Sequence, residues 1–253
     1  MPGWFAPHRI PLVVAHRGAS AVAPENTLAS LLKARADGAD AVEIDIRLSR
    51  DGEAMVIHDR RLDRTTDGSG LVREHNAAEL GRLSAGAWFG SRFATERIPT
   101  LAEVFEALGR FRINVEIKSE RPEEERLLVR RCLLLIRKHG VAGNVLVSSF
   151  STRALKLVRS LAPPSLATGL LYHPVLHFGR PAPASAHALG AGYLLLNGTA
   201  LRKRLALEMH SSGGFVGEYT VDTPRRLRRA LRYQLDAVYT NDPARILRLL
   251  HRL

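Results

Sequence analysis

The sequence predicts an α/β fold, a (β/α)8 TIM barrel with a small insertion after the second strand, and three observations predict it. Eight short runs rich in apolar and β-branched residues recur along the 253 residues, and amphipathic helical patterns separate most of them. No glycine fingerprint of a dinucleotide-binding sheet follows the first run. Strands that alternate with helices build a parallel sheet, and eight such units in roughly 250 residues are what closure into a barrel requires. No Ser/Gly/Pro-rich linker divides the chain, so 1–253 is expected to form one domain, with 47–99 as a hairpin and small insertion within it.

The first run, LVVAH (12–16), ends on His16, Arg17 and Gly18, a poor finish for a buried strand unless it opens onto a site. TLASLLKARADG then reads as a helix, and AVEIDI (41–46) as the second strand. In RLSRDGEAMVIHD, Asp51 and Gly52 are a strong hairpin signal. With those two residues as the loop, cross-strand partners sum to 103, which sets Asp45 opposite His58 and Glu43 opposite Arg60. Leu62 to about Ile98 has few long apolar runs and reads as an excursion over the barrel mouth.

The regular rhythm resumes with TLAEVFEALGRF as a helix and INVEIK (113–118) as a strand. The helical run RLLVRRCLLLIRKHG carries Cys132, expected to be a buried structural thiol. NVLVSSF (144–150), LATGLL (166–171), GYLLLN (192–197), FVGEYTV (215–221) and DAVYTN (236–241) complete the strands, with STRALKLVRSLA and PRRLRRALRYQ as helices. Residues 170–190 are irregular and read as a mouth loop plus a short helix.

Hydrophobic residues at 45% and charged residues at 25% are ordinary for a soluble globular protein, and no apolar run approaches the roughly 20 residues of a membrane span. Prolines interrupt MPGWFAPHRIPLVV where a signal peptide needs a continuous apolar stretch, so a cytoplasmic location is expected. The net charge of +12 raises nucleic-acid binding. Of 37 cations 5 are lysine, leaving 32 arginines spread along most of the chain, without the aromatic interleaving that stacks bases. No nucleic-acid partner is expected. PRRLRRALRYQ and RILRLLHRL read as solvated helix faces, with weak contact to anionic membranes through these basic C-terminal helices as the secondary expectation.

Glu43 and Asp45 are two apart on one strand and share a face. Two carboxylates directed into an apolar barrel need a compensating cation, and Glu116 on the next strand adds a third. An oxygen-only set of Glu43, Asp45 and Glu116 suits Mg2+ or Ca2+ rather than zinc. Beside it, His16 and the hairpin's His58 are candidates for a general acid and base. Arg17 and Lys118 supply fixed positive charge for an anionic substrate. The other histidines (His8, His75, His139, His173, His177, His187, His210 and His251) are expected to be ordinary core or surface residues. Two imidazoles, two cations and a metal describe phosphoryl transfer on a diester better than acyl or glycosyl chemistry.

The motifs AHRGASAVAPENTLAS, AVEIDIRLSRDGEAMVIHD, LDRTTDGSG and NVEIK, continued by RIPTLAEVFEAL and VLVSSFSTRALKLVR, resemble those of the glycerophosphodiester phosphodiesterase family in order, over about residues 12 to 245. The resemblance implies a TIM barrel with an insertion after the second strand. It also implies hydrolysis of small glycerophosphodiesters to glycerol 3-phosphate and an alcohol. It places the family's acid and base on His16 and His58, its metal carboxylates on Glu43, Asp45 and Glu116, and its phosphate contacts on Arg17 and Lys118. Glu25 and Asn26 fall on the family's Glu-Asn-Thr motif, where Asn26 or Thr27 is expected to cap the first helix and Glu25 to orient Arg17. Where the family usually has Trp-Thr-Val-Asn, this chain has Tyr219 and Asp222 at the outer positions, so Tyr219 is expected to line the alcohol or glycerol pocket and to alter substrate choice. Glu218 points either into the barrel or away from it. The alternative activity is a lysophospholipase D type reaction at a membrane surface, and from another class a non-enzymatic binding module on a degenerate barrel.

Overall fold

The computed structural model describes residues 4, 11–118, 121–177, 179 and 181–251, which leaves His8 outside the described residues. The strands are β1 (Leu12–His16), β2 (Ala41–Leu48), β3 (Ala54–Val56), β4 (Arg112–Ile117), β5 (Val145–Ser149), β6 (Ala167–Tyr172), β7 (Tyr193–Asn197), β8 (Phe215–Tyr219) and β9 (Ala237–Thr240). All but β3 pair in parallel with their neighbours, and β1 pairs with both β2 and β9, which closes an eight-stranded barrel. Every run that the sequence marks as a strand is there. The helices between them are α1 (Leu28–Ala36), α2 (Ala77–Leu80), α3 (Leu101–Leu108), α4 (Pro122–Lys138), α5 (Thr152–Leu161), α6 (Ala182–Ala188), α7 (Lys203–Ser211), α8 (Pro224–Arg232) and α9 (Pro243–Leu250). Thr27, Thr100, Ser151, Thr223 and Asp242 accept a first-turn amide at five of their N-termini.

Strand alternation sorts the apolar residues into two places. Residues such as Val42, Ile44, Val115 and Val147 face the helices. Leu12, Val14, Ala41, Leu146, Tyr193 and Tyr239 fill the barrel interior beneath the mouth, closed by Trp4, which is 1% exposed. Continuing the inward set up β2 from Ala41 gives Glu43 and Asp45, so the period of two that fills the floor also delivers carboxylates to the mouth.

The hairpin differs from the sequence expectation by one residue. The register pairs Ile46 with Val56 and Leu48 with Ala54, so partners sum to 102 and Asp45 lies opposite Ile57 rather than His58. The amide of Ile57 donates to the Asp45 carbonyl at 2.9 Å. The reason is the loop: Ser49 N–H donates to Glu53 O and Gly52 N–H to Ser49 O, which leaves three loop residues with Gly52 at φ +83°. A type I turn closed by a left-handed glycine matches strand twist and adds one residue to the two-residue turn. Glu43 accordingly has no partner on β3; its neighbour there is His16 of β1. The strands β1 and β3 share one edge of β2, β1 along Ala41–Glu43 and β3 along Ile46–Leu48. Because β1 stops at His16, the longer β2 has a free edge that the hairpin covers. A small apolar cluster that includes Met55, Ile57, Leu62, Leu80 and Ile98 holds the insertion together.

Candidate active site

Glu43, Asp45 and Glu116 meet at the C-terminal end of the barrel, each offering a carboxylate oxygen within 4.8 Å of the others. They are 3%, 0% and 7% exposed. Burial, then the charges of Asp45 and Glu116, raise Glu43 well above the carboxylate range, and burial pushes Glu116 up to about 7 against the pull of Lys118. Burial opposes ionisation of Asp45 as well, but Lys118 and Arg17 hold it below its ordinary value. Without a further cation, the three carboxylates resist ionising together.

Two cations are already built in. Lys118 Nζ lies 3.1 Å from Asp45 Oδ1 and 2.5 Å from Glu116 Oε1, and Arg17 Nε lies 3.2 Å from Asp45 Oδ2. Three carboxylates against two cations leave one negative charge. Glu43 Oε1 is buried with no hydrogen-bond partner among the described residues, while Oε2 accepts from the Arg17 amide at 3.0 Å. An orphaned carboxylate oxygen, surplus negative charge and an all-oxygen set fit a hard divalent cation.

The turn that presents this array is left-handed. Arg17 has φ +58° and Gly18 φ +83°, and a Cβ on Gly18 would lie 2.4 Å from Ser30 Oγ. Only glycine lets the chain pass α1 there, and it brings the Arg17 amide onto Glu43. Thr27 caps α1; Asn26 does not, and instead donates Nδ2–H to Asp45 Oδ2 at 2.9 Å while its Oδ1 accepts from the Asp45 amide at 3.2 Å. Glu25 accepts from Arg17 Nη1 at 2.9 Å.

The two histidines have different partners on Nδ1. His16 Nδ1 is 2.9 Å from Asn241 Oδ1. Asn241 Nδ2–H donates to Asp222 Oδ2 at 2.9 Å, so its oxygen faces the histidine and the proton sits on Nδ1. Nε2 of His16 is then a bare acceptor, 4.0 Å from Glu43 Oε2. Burial and the adjacent Arg17 lower its pKa to about 4. His58 Nδ1–H donates to Asp59 Oδ1 at 2.6 Å, and Asp59 accepts in turn from Arg64 Nε at 2.5 Å. Arg64 also grips both oxygens of Glu25 at 2.9 Å, joining His58 to Arg17 through four ion pairs. Burial lowers His58 as well, opposed by the charge of Asp45.

Tyr219 stands across the mouth, its ring 6.5 Å from Phe150 and perpendicular to it, and Lys118 Nζ lies 5.9 Å above the Phe150 ring. Burial, with the charge of Glu116 behind it, raises the Tyr219 phenol. Glu218, one residue earlier, points away from the barrel and is fully buried beside Arg229. The structure thus gathers all eight residues singled out in the sequence at one end of the barrel. The sequence reading missed Asn241, Asp59, Arg64 and Phe150. Asn241 was legible as the inward residue two beyond Tyr239, but an asparagine carries no distinctive chemistry until its partner is known. The remaining described histidines serve elsewhere: His210 pairs with Asp236 at 2.8 Å, His177 bonds to the His173 backbone, and His139 packs on Phe105. Cys132 is buried, its thiol pushed up to about 12.

Comparison with known proteins agrees with this geometry. A sequence model of the glycerophosphoryl diester phosphodiesterase family matches residues 16–245. A glycerophosphodiester phosphodiesterase of Caldanaerobacter subterraneus subsp. tengcongensis is 36% identical over 95% of this chain and 98% of its own length. One of Bacillus subtilis is 34% identical, over 94% and 86%. Among solved structures, an Oleispira antarctica phosphodiesterase in complex with the product sn-glycerol-3-phosphate superposes with a TM-score of 0.87 at 31% identity, over 95% of this chain and 97% of that one.

Proposed function

The chain belongs to the glycerophosphoryl diester phosphodiesterase family, and from that premise we propose that its barrel mouth hydrolyses small glycerophosphodiesters to glycerol 3-phosphate and an alcohol with a divalent metal and two histidines. The observation that carries the reading is the convergence of three buried carboxylates, two imidazoles and two cations on one cleft. Held by Glu43, Asp45 and Glu116, Mg2+ or Ca2+ supplies Lewis-acid polarisation of a phosphoryl oxygen. A divalent ion turns the site's net charge from minus one to plus one, which suits a phosphodiester monoanion.

Arg17 and Lys118 orient the phosphate and neutralise its remaining charge, Arg17 held in place by Glu25. The imidazoles are unequal. His16 has a neutral amide on Nδ1 and a bare Nε2 beside the carboxylates, which makes it the base toward the nucleophile, either water or the neighbouring glycerol hydroxyl. His58 has the carboxylate of Asp59 on Nδ1, which stabilises an imidazolium and makes it the proton donor to the departing alkoxide. Tyr219 and Phe150 form an aromatic wall for glycerol or the leaving alcohol.

The test is release of glycerol 3-phosphate from glycerophosphocholine, before and after exhaustive chelation and add-back of Mg2+ or Ca2+. Activity untouched by chelation would remove the metal. His16→Ala and His58→Ala are each expected to lose at least about 100-fold in kcat, and a loss below about threefold at either would take that histidine out of the chemistry. One observation favours the lysophospholipase D alternative. Val175 and Leu176, in the turn after β6, are 75% and 58% exposed at the mouth end, where an acyl chain would need apolar contact. Turnover of lysophosphatidylcholine that matches glycerophosphocholine would favour it.

A further inference from the structure

The arginines of α8 do more than coat a solvated face. A groove of about 880 Å³ runs between the turn after β7 and α8, and six arginines line it: Arg202, Arg225, Arg226, Arg228, Arg229 and Arg232. Its size falls in the range of roughly 300 to 1,000 Å³ typical of small-ligand sites. The groove opens at the same end of the barrel as the mouth, because Gly198 follows β7 and Thr223 follows β8. The last residues of β8 separate the two: Tyr219 forms part of the mouth wall, and Glu218 turns outward beneath the groove.

Part of the arginine set is held in a fixed arrangement. Arg229 Nη2 pairs with Glu218 Oε1, and Arg226 Nε lies 4.0 Å from the same oxygen while its Nη1–H donates to the Thr220 carbonyl. Arg202 Nη1–H donates to the carbonyls of Thr199 and Leu201 at 2.7 and 2.9 Å. A Cβ on Gly198 would lie 2.6 Å from Glu218 Oε1, 2.8 Å from Arg229 Nη2 and 2.9 Å from Arg226 Nη2, so the absence of a side chain there is what lets the two guanidinium groups lie against the backbone. Arg225, Arg228 and Arg232 have no ion-pair partner among the described residues.

This arrangement opposes the helix's own stability. Arg225 and Arg226 sit in the first turn of α8, where the macrodipole disfavours cations and no acid is present. Arg225, Arg228, Arg229 and Arg232 repeat at spacings of three and four, which sets like charges side by side. One carboxylate, that of Glu218, pairs with two of the six arginines. A bound anion of several charges offsets each of these terms. Every lining cation is an arginine, whose planar fork takes phosphate oxygens in pairs.

We propose that this groove is a second anion site, distinct from the mouth, that binds clustered phosphate groups, either on a free polyphosphate-bearing molecule or on a phosphorylated lipid headgroup. The inference does not rest on the hydrolytic reading, since none of its residues belongs to the mouth. Inorganic tripolyphosphate is the probe, titrated calorimetrically into the whole protein at constant ionic strength, with sodium sulfate as the control. Saturable binding is expected, weakened at least about 10-fold in the double variant Arg225→Gln/Arg228→Gln, which removes two charge-assisted contacts. Gly198→Ala, which displaces the guanidinium pair, is expected to weaken it too. Arg225 and Arg228 are exposed, and an unchanged far-UV circular dichroism spectrum and Tm of the double variant confirm its fold. Competition from vesicles of phosphatidylcholine with phosphatidylinositol bisphosphate, and not from phosphatidylcholine alone, would identify the lipid source; tripolyphosphate binding untouched by either vesicle would identify the free anion. No saturable binding of tripolyphosphate, or binding undiminished in the double variant, overturns the proposal.

Discussion

Asn241 shows how much of a histidine's chemistry its second nitrogen decides. Its amide is oriented from behind by Asp222, which receives both the side-chain and the backbone N–H of Asn241. That orientation leaves only an oxygen to face His16, and so selects the tautomer with a bare Nε2. Asn241→Leu removes the acceptor without a large change in volume. It is expected to lower kcat by about 10- to 100-fold with little change in KM. Imidazole 15N shifts of His16 measure the tautomer directly, and a wild-type pattern in Asn241→Leu would refute the positioning role.

The carboxylates yield a second residue-scale prediction, in which the sign follows from the upward shifts. A carboxyl group whose folded pKa exceeds its unfolded one binds more protons in the folded state, so its contribution to stability falls as pH rises between the two values. For Glu116 that window runs from its ordinary 4.5 to about 7, and Glu43 shifts the same way. A divalent cation needs the ionised forms and opposes the loss. The rise in Tm on adding Mg2+ or Ca2+ is therefore expected to be small near pH 5 and to grow through pH 7. Differential scanning calorimetry at several pH values checks this, and a metal-induced rise independent of pH would contradict it.

At the scale of elements, two left-handed glycines make unequal demands. Gly52 closes the hairpin at φ +83° with nothing within 4 Å of where a Cβ would stand. Gly52→Ala therefore carries only conformational strain, about 1 kcal/mol, and is expected to leave kcat unchanged. Gly18 has the same φ, but its Cβ would meet the Ser30 side chain and backbone at 2.4 to 2.7 Å. Gly18→Ala must move α1 or the Arg17 turn, and is expected to cost more stability than Gly52→Ala and to lower kcat as well. Urea denaturation and steady-state kinetics on both variants separate strain from displacement. The hairpin also shows the limit of pattern reading. Asp51-Gly52 announced a turn, yet whether two or three residues formed it depended on hydrogen bonds at Ser49 and Glu53 that no local pattern specifies.

At the scale of the whole molecule, the barrel separates stability from chemistry along its axis. Trp4 and the apolar residues of the floor are layered beneath Asn114 and Ser148, which bond to each other at 2.9 Å, and the carboxylates lie above. Trp4→Ala is expected to cost about 3 to 5 kcal/mol while leaving kcat within about twofold, because Trp4 belongs to the apolar floor cluster and its loss takes no carboxylate, histidine or cation from the mouth. Chemical denaturation together with glycerophosphocholine turnover tests that separation, and a collapse of kcat in protein that is still folded would contradict it. No helix of the described residues is long and apolar enough to cross a membrane.

The sequence by itself determined the eight strands, their inward faces and most of the residues that meet at the barrel mouth, because a period of two fixes which strand residues face the barrel and because carboxylates on that face have few structural uses. It also carried the family resemblance that the comparisons bear out. The tertiary structure alone decided what depends on distance between segments far apart in the chain. It set the hairpin register, turned Asn26 from a helix cap into a partner of Asp45, aimed Glu218 outward, and brought Asn241 to His16 across 225 positions. It also gathered scattered arginines into one groove. Local pattern constrains the direction of a side chain; only closure of the barrel decides what it meets.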